Sequence, residues 1–400
     1  MPNKKFPKTF LFGAATSSYQ IEGGNFKSDW YLWEKEKGLE QCGEACDSYN
    51  RYEGDFGLAK ELNQNAHRFS IEWSRINPEE GVFDQKEIEH YRKVIRALKK
   101  RGIEPFVTLH HFTLPIWVSK KGGWGKRKTI NYFTRYVRYV IKELGEEAKF
   151  WITINEPLVY ASCGTIAKIW PPGKGGIWLF QKMFRHLVKA HKKAYREIKK
   201  ISPDLQIGLA KNNFYYDKKS TKNPFKILFA HFAHFLWNVL FLKLIKKKLD
   251  FIGLNHYNYI DLNSSLKKPE KIHLPDQNDH KLISDIGWEI YPPSIYHCLK
   301  KLKKYHLPIY ITENGVADTR DKLRKKFIHD YLEQILKAIN QGVNVKGYFY
   351  WSLLDNFEWA DGFKMKFGLI EVDYETQKRT VRESARYYAE VSKQGKLVDL

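Results

Sequence analysis

Two rhythms of apolar residues alternate along this chain. Short runs, apolar at every second position or throughout, have the pattern of strands. Longer stretches with apolar residues three and four apart have the pattern of amphipathic helices. The first short run, residues 10–20 (FLFGAATSSYQ), reads as a strand and its loop, and a helix follows near 53–63 with Phe56, Ala59 and Leu62 on one side. Residues 66–73 alternate in the strand sense, with Arg68 inside the run, and 86–101 form an amphipathic helix. The same succession repeats as strand 103–110 and helix 126–144, strand 151–154 and helix 178–200, and strand 207–210 and helix 225–247. It continues as strand 251–254 and helix 294–305, strand 308–312 and helix 324–340, and strand 345–351 and helix 382–391. Strand and helix thus alternate eight times. Such alternation implies parallel βα units, and eight of them imply an α/β fold, a closed (β/α)8 TIM barrel. No linker, repeat or low-complexity run divides residues 1–400, so one domain is expected.

The polar exceptions cluster where strands end. In 151–157 (WITINEP) the apolar run stops on Asn155-Glu156, and Pro157 cannot continue a strand ladder. A second run, 308–312, stops on Glu313-Asn314-Gly315. Gln20, Arg68, His111, Asn212, Asn255, Tyr257 and Trp351 stand at or near the ends of other strands. In a barrel these ends form the carboxyl-terminal face, where active sites are assembled. Two carboxylates facing one cleft suit glycosidic bond cleavage. One protonates the leaving oxygen; the other acts as nucleophile from about 5–5.5 Å, or activates water across about 6.5–9.5 Å. Arg68 and Tyr257 could hold one carboxylate ionised, which would raise the pKa of the other toward use as an acid.

Composition changes this picture little. Apolar residues make up 43% of the chain, enough for a large core, and the twelve Trp and 24 Tyr can serve that core or line a sugar cleft. The net charge of +23 reads as a lysine-rich solvated surface, because the lysines cluster on helix exteriors and ends without an interleaved basic-aromatic stripe. A nucleic-acid partner is therefore not expected. Four cysteines are too few for a disulfide framework, and Cys42 and Cys46 lack further ligands at zinc spacing. The opening MPNKKFPKTF has no apolar signal core, which points to the cytoplasm. One segment stands apart: 227–242 (ILFAHFAHFLWNVLFL) is apolar nearly all round. It reads first as a barrel helix. A helix apolar on every side needs cover for its outer face, which a subunit interface (a homo-oligomer) or a membrane surface could supply.

Seven motifs, in order and spread over nearly the whole chain, resemble glycoside hydrolase family 1, the retaining β-glycosidases. They are FLFGAATSSYQIEG (10–23), HRFSIEWSRI (67–76), TLHHFTLP (108–115), TINEP (153–157), DFIGLNHYN (250–258), YITENG (310–315) and YWSLLDNFEWADGF (350–363). The resemblance implies that Glu156 is the acid/base and Glu313 the nucleophile. It implies that Asn155 holds the sugar 2-hydroxyl, that Gln20, His111 and Glu358 hold other hydroxyls, that Trp351 stacks under the ring, and that Trp359 bonds its O3 or O4 side. Arg68, Asn255 and Tyr257 would orient Glu313, with Tyr257 also at the sugar. Glu22 and Asp355 are expected to be supporting, and His110 a neighbour of the site. Glu358-Trp359 suits an unphosphorylated sugar, since a carboxylate there would repel a 6-phosphate.

The expected activity is a retaining exo-β-glycosidase of β-glucosidase type acting on small β-glycosides or short oligosaccharides, with glucosyl and also galactosyl or fucosyl units accepted. It needs no metal or organic cofactor. A transglycosylase and an inactive sugar-binding homologue with membrane-surface contact are the alternatives. The chain also departs from the family. It is short at 400 residues, with the shortening assigned to 214–224, 260–285 and 316–323, which would open the leaving-group side of the cleft. Phe112-Thr113 stands where many members carry Trp-Asp, as in variants from heat-loving archaea.

Overall fold

The computed structural model describes residues 4–257, 259–262 and 282–400. Eight strands close into one parallel barrel: β1 (Leu11–Ala15), β2 (Ala66–Ser70), β3 (Glu104–Thr108), β4 (Phe150–Asn155), β5 (Gln206–Asn212), β6 (Phe251–Asn255), β7 (Ile309–Asn314) and β8 (Val345–Trp351). Each pairs with its neighbours in chain order, and β8 closes on β1 with Leu11 opposite Gly347 and Ala15 opposite Trp351. The outer ring comprises α1 (Ser48–Glu61), α2 (Gln85–Lys100), α3 (Lys128–Leu144), α4 (Gly176–Ile201), α5 (Pro224–Lys248), α6 (Pro293–Leu302), α7 (Arg324–Asn340) and α8 (Glu383–Gln394).

Periodicity explains why these helices sit where they do. In α3, Ile130, Phe133, Val137, Val140, Ile141 and Leu144 are buried, three and four apart, which is one face of a helix. In α2 the Asp84 side chain caps the first turn, accepting from the Lys86 amide at 2.9 Å, and Ile88, Tyr91, Ile95 and Leu98 face the barrel. These faces join a large apolar layer between helices and sheet. A second cluster fills the barrel itself, with Ala15, Ala66, Phe106, Ile152, Ala210, Phe251, Tyr310 and Phe349 drawn from all eight strands. The Phe106 ring lies 5.0 Å from that of Tyr310 and 4.8 Å from that of Phe349. These rings plug the barrel and separate its amino-terminal end from the polar strand ends beyond them, on the carboxyl-terminal face.

Several predicted boundaries move. In the run 10–20, read as a strand and its loop, the strand ends at Ala15. Ser17 and Ser18 draw the chain off the sheet, Ser17 Oγ donating to Gln20 Oε1 at 2.6 Å and Ser70 Oγ accepting from the Ser18 amide at 2.7 Å. Gln20 consequently lies on a short helix, Ser18–Glu22. β3 ends at Thr108, so His110 and His111 belong to the loop after it. The apolar helix, expected at 225–247, runs Pro224–Lys248, 25 residues, with a π-helical stretch at Phe235–Val239. It is also not buried all round, for the barrel covers only its inner face. Of the stretches where shortening was expected, residues 263–281 lie outside the described residues.

Candidate active site

Glu156 follows β4 directly and has a left-handed backbone (φ 40°, ψ 59°), a region that non-glycine residues seldom occupy. This turn swings the chain off the strand and lets Pro157 start a short helix, Pro157–Ser162, at the position that tolerates proline. Glu313 is carried within β7, opposite Asn255 of β6. Just beyond it, Gly315 passes so close to the Trp351 carbonyl that any Cβ there would collide.

The two carboxylates line the same cavity of about 460 Å³, together with Gln20, His111, Asn212, Tyr257, Trp351, Glu358 and Trp359. Their surroundings differ. Glu313 is buried between two donors: the Arg68 guanidinium, from β2, bonds Oε1, and the Tyr257 hydroxyl donates to Oε2 at 2.8 Å. Arg68 is itself fully buried and is spread over further acceptors, Thr108 Oγ1 at 3.1 Å and Asn155 Oδ1 at 2.8 Å. Glu156 has no guanidinium. Its Oε1 accepts from the Asn255 amide at 2.8 Å, and the Asn212 side chain also bonds the carboxyl. Burial first, and then the negative charge of Glu313, push its carboxyl well above the ordinary range.

Asn255 departs from expectation. It was expected to orient Glu313, but its Nδ2 donates to Glu156 and to Asn155 Oδ1 (3.1 Å), while its Oδ1 accepts from Thr312 Oγ1 at 2.6 Å. With its carbonyl oxygen occupied by a hydroxyl, only the amide nitrogen remains to face the cavity, and it points at the β4 side. A continuous polar chain results, from Glu313 through Arg68, Asn155 and Asn255 to Glu156.

The remaining candidates fall into two groups. At the Glu358 end, the Trp351 indole donates to Glu358 Oε1 at 3.0 Å, and burial pushes the Glu358 carboxyl up to about 8. His111 is held neutral by burial and by the Arg68 charge. Its Nε2 faces the Asn155 amide nitrogen at 3.2 Å and so acts as acceptor, while its Nδ1 has no partner among the described residues. Gln20 donates to Asn356 Oδ1 and to the Phe357 carbonyl, both at 2.8 Å. Trp359 packs on Tyr19 and Trp30. Supporting residues lie outside the cavity: Glu22 binds Arg75 and Tyr91, Asp355 binds Arg382 through both oxygens, and His110 accepts from the Trp124 indole at 3.0 Å. Cys42 and Cys46 are buried, their thiols donating to the carbonyls of Tyr19 and Asp355.

Sequence reasoning missed Lys211. It lies buried on β5, donates to the Asn212 carbonyl, and has its ammonium pushed down to about 7 by burial. Its charge acts on Glu156 in the lowering direction. A lone lysine inside the apolar run of 207–210 and its continuation was the available signal. The aromatic wall formed by Trp170, Phe214 and Trp288 was also missed: Trp170 and Trp288 lie far from the barrel strands in sequence, and Phe214, two residues past β5, is apolar and so does not stand out from the run before it.

The sequence model of Glycosyl hydrolase family 1 matches residues 2–243 and 240–397. The chain belongs to this family. It is a β-glucosidase-like glycoside hydrolase, 37% identical to Beta-glucosidase A of Thermotoga maritima over 99% of both chains, and 30% identical to Beta-galactosidase of Pyrococcus woesei over 95% of both. Among solved structures it resembles a β-glycosidase from Pyrococcus horikoshii (38% identity, TM-score 0.89, covering 100% of this chain and 97% of that one). It also resembles the Thermotoga maritima β-glucosidase in complex with glucoimidazole (35% identity, TM-score 0.90, covering 99% and 100%).

Within this family member, Tyr257 offers a test that separates charge stabilisation from packing. Tyr257→Phe keeps the ring against Trp288 and Phe367 but removes the donor to Glu313. The expected result is a loss of roughly 10²-fold in kcat with little change in thermal melting, checked by steady-state kinetics beside a melting curve.

Proposed function

We propose that the protein is a retaining exo-β-glycosidase that removes terminal β-D-glucosyl and β-D-galactosyl units, with Glu313 as nucleophile and Glu156 as acid/base. The observation that carries this reading is the unequal setting of the two carboxylates. One is clamped by a guanidinium and a phenol; the other has no guanidinium and is pushed toward its protonated form by burial and by its neighbour's charge. In the first step a Glu313 oxygen attacks the anomeric carbon while Glu156 gives its proton to the departing glycosidic oxygen. The sugar is left as an ester on Glu313. That ester carries no charge, so one of the two causes that raise the Glu156 carboxyl disappears. Glu156, now ionised, takes a proton from water as the water attacks the same carbon and frees Glu313.

Asn155 is the residue assigned to the sugar 2-hydroxyl. The Nδ1 of His111, without a partner among the described residues, and the Glu358 carboxyl, with Gln20 beside them, supply bonding for the other hydroxyls, and Trp351 with Trp359 supplies the aromatic floor. The Glu358 carboxyl in the cavity wall, bonded by the Trp351 indole and by no cation among the described residues, offers a phosphorylated sugar no charge partner and so favours a neutral one. Both glucosyl and galactosyl units are proposed because the relatives include a β-glucosidase and a β-galactosidase. The test is hydrolysis of p-nitrophenyl β-glucoside and β-galactoside, with the first-formed sugar followed by proton NMR. The β anomer should appear before mutarotation. An initial α anomer would overturn the retaining reading, and no release from any β-glycoside would overturn the hydrolase reading.

A further inference from the structure

The outer face of α5 is apolar and uncovered. Phe225 is 81% exposed, Leu228 68%, Phe229 63% and Phe232 59%, and the neighbouring Ile177 and Trp178 at the start of α4 are exposed as well. Phe229, Phe232 and Leu236 line a groove of about 590 Å³ whose opposite wall is Ile177, Phe180 and Phe184 of α4. Exposed aromatic and aliphatic side chains in such a concentration mark an interaction surface.

Charge says what kind. From Pro157 to Arg196 the chain has eight Lys and Arg and no Asp or Glu; from Lys218 to Leu249 it has eight Lys and again no acidic residue. Lys222 and Lys226 stand exposed at the start of α5, and Lys243, Lys246 and Lys247 at its end. The apolar face is thus framed at both ends by cations. Two copies stacked on this face would bring like charges together, whereas an anionic lipid surface would neutralise the frame and bury the rings.

The helix is long and apolar enough to span a bilayer by composition, but its inner face is tied down. Ala230, Phe241, Leu242 and Ile245 are buried against the barrel, and Asn238 exchanges hydrogen bonds with the Phe214 backbone at 3.1 and 2.7 Å. At 1.5 Å per residue it extends about 37 Å along the surface.

We propose that the α5 face, with the start of α4, seats this protein on an anionic lipid bilayer, α5 lying in the plane of the headgroups. The catalytic cavity lies close by. Phe214 lines it, Trp237 lines the groove, and their rings touch at 5.1 Å. Seating would therefore hold the cavity next to the lipid surface.

The test is co-sedimentation of the intact protein with vesicles of mixed phosphatidylglycerol and phosphatidylcholine, and with phosphatidylcholine alone. It is run on the wild type and on Phe229→Glu/Phe232→Glu, with p-nitrophenyl β-glucoside turnover as the control for folding. The expected result is binding to anionic vesicles at low salt that weakens about tenfold or more at high salt and in the double variant, whose turnover is unchanged. Absence of wild-type binding to anionic vesicles at low salt would overturn the proposal. So would equal binding by the double variant. A wild-type dimer in sedimentation velocity that the double variant abolishes, with no vesicle binding, would assign the face to a second copy instead.

Discussion

Glu313→Ala should lower turnover of p-nitrophenyl β-glucoside by roughly 10⁴-fold or more, since a nucleophile acting as part of a unit is lost entirely. The variant should then regain measurable turnover when sodium azide is added. Truncation leaves space where the carboxylate stood, and azide entering it attacks the anomeric carbon from the same face in a single displacement. The product should be the α-glycosyl azide, identified by proton NMR. A β-glycosyl azide would show that Glu313 is not the group on that face. Folding needs a separate control, because Arg68 is fully buried and loses its carboxylate partner in this variant. Removing one partner of a buried ion pair costs about 3–5 kcal/mol. Glu313→Gln keeps an acceptor for the guanidinium, so it should be similarly inactive and melt closer to the wild type.

Glu156→Ala should behave differently in three respects. With an alkyl β-glucoside, whose leaving oxygen is basic and needs a proton, kcat/KM should fall by roughly 10²–10⁴-fold. With 2,4-dinitrophenyl β-glucoside, whose leaving group departs unaided, the first step should be nearly unaffected, and the glycosyl ester should accumulate. Azide should capture that ester from the opposite face and give the β-glycosyl azide. The third difference is in pH dependence. Burial and the Glu313 charge both raise the Glu156 carboxyl, and the protonated form is the one that works in the first step. Wild-type kcat/KM is therefore full below this raised pKa and declines as pH rises through it. In Glu156→Ala that alkaline decline should vanish. If the decline persists unchanged, another group supplies the proton.

Much of this was legible in the chain because it depends on local order. The run 345–351 and the period of 324–340 coincide with β8 and α7 as observed, since each has one unambiguous rhythm. The two glutamates were legible for a related reason: each ends an apolar run on a charged group that has no place in a core. The run 10–20 reads as a strand and its loop, but where the strand stops and that Gln20 sits on a short helix were not legible, because local serine hydrogen bonding sets both. That α5 has an outer face to cover was legible, but which residues form it was not. A helix apolar on every side carries no period to say which face meets the barrel, and only the packing of Ala230, Phe241 and Ile245 decides it.

The alternation of strand and helix, and the polar residues at the strands' carboxyl ends, are properties of neighbouring residues, and the sequence by itself determined them. Which carboxylate is clamped, and which is pushed toward its acid form, is a sum over atoms from separate strands. Arg68 comes from β2, Asn155 from β4, Asn255 from β6 and Glu313 from β7. Asn255 shows the limit most clearly. Its place at a strand end was evident from its neighbours, but whether its amide turned to Glu313 or to Glu156 was decided by the Thr312 hydroxyl taking its carbonyl oxygen. That bond exists only once the barrel has closed and set β6 beside β7.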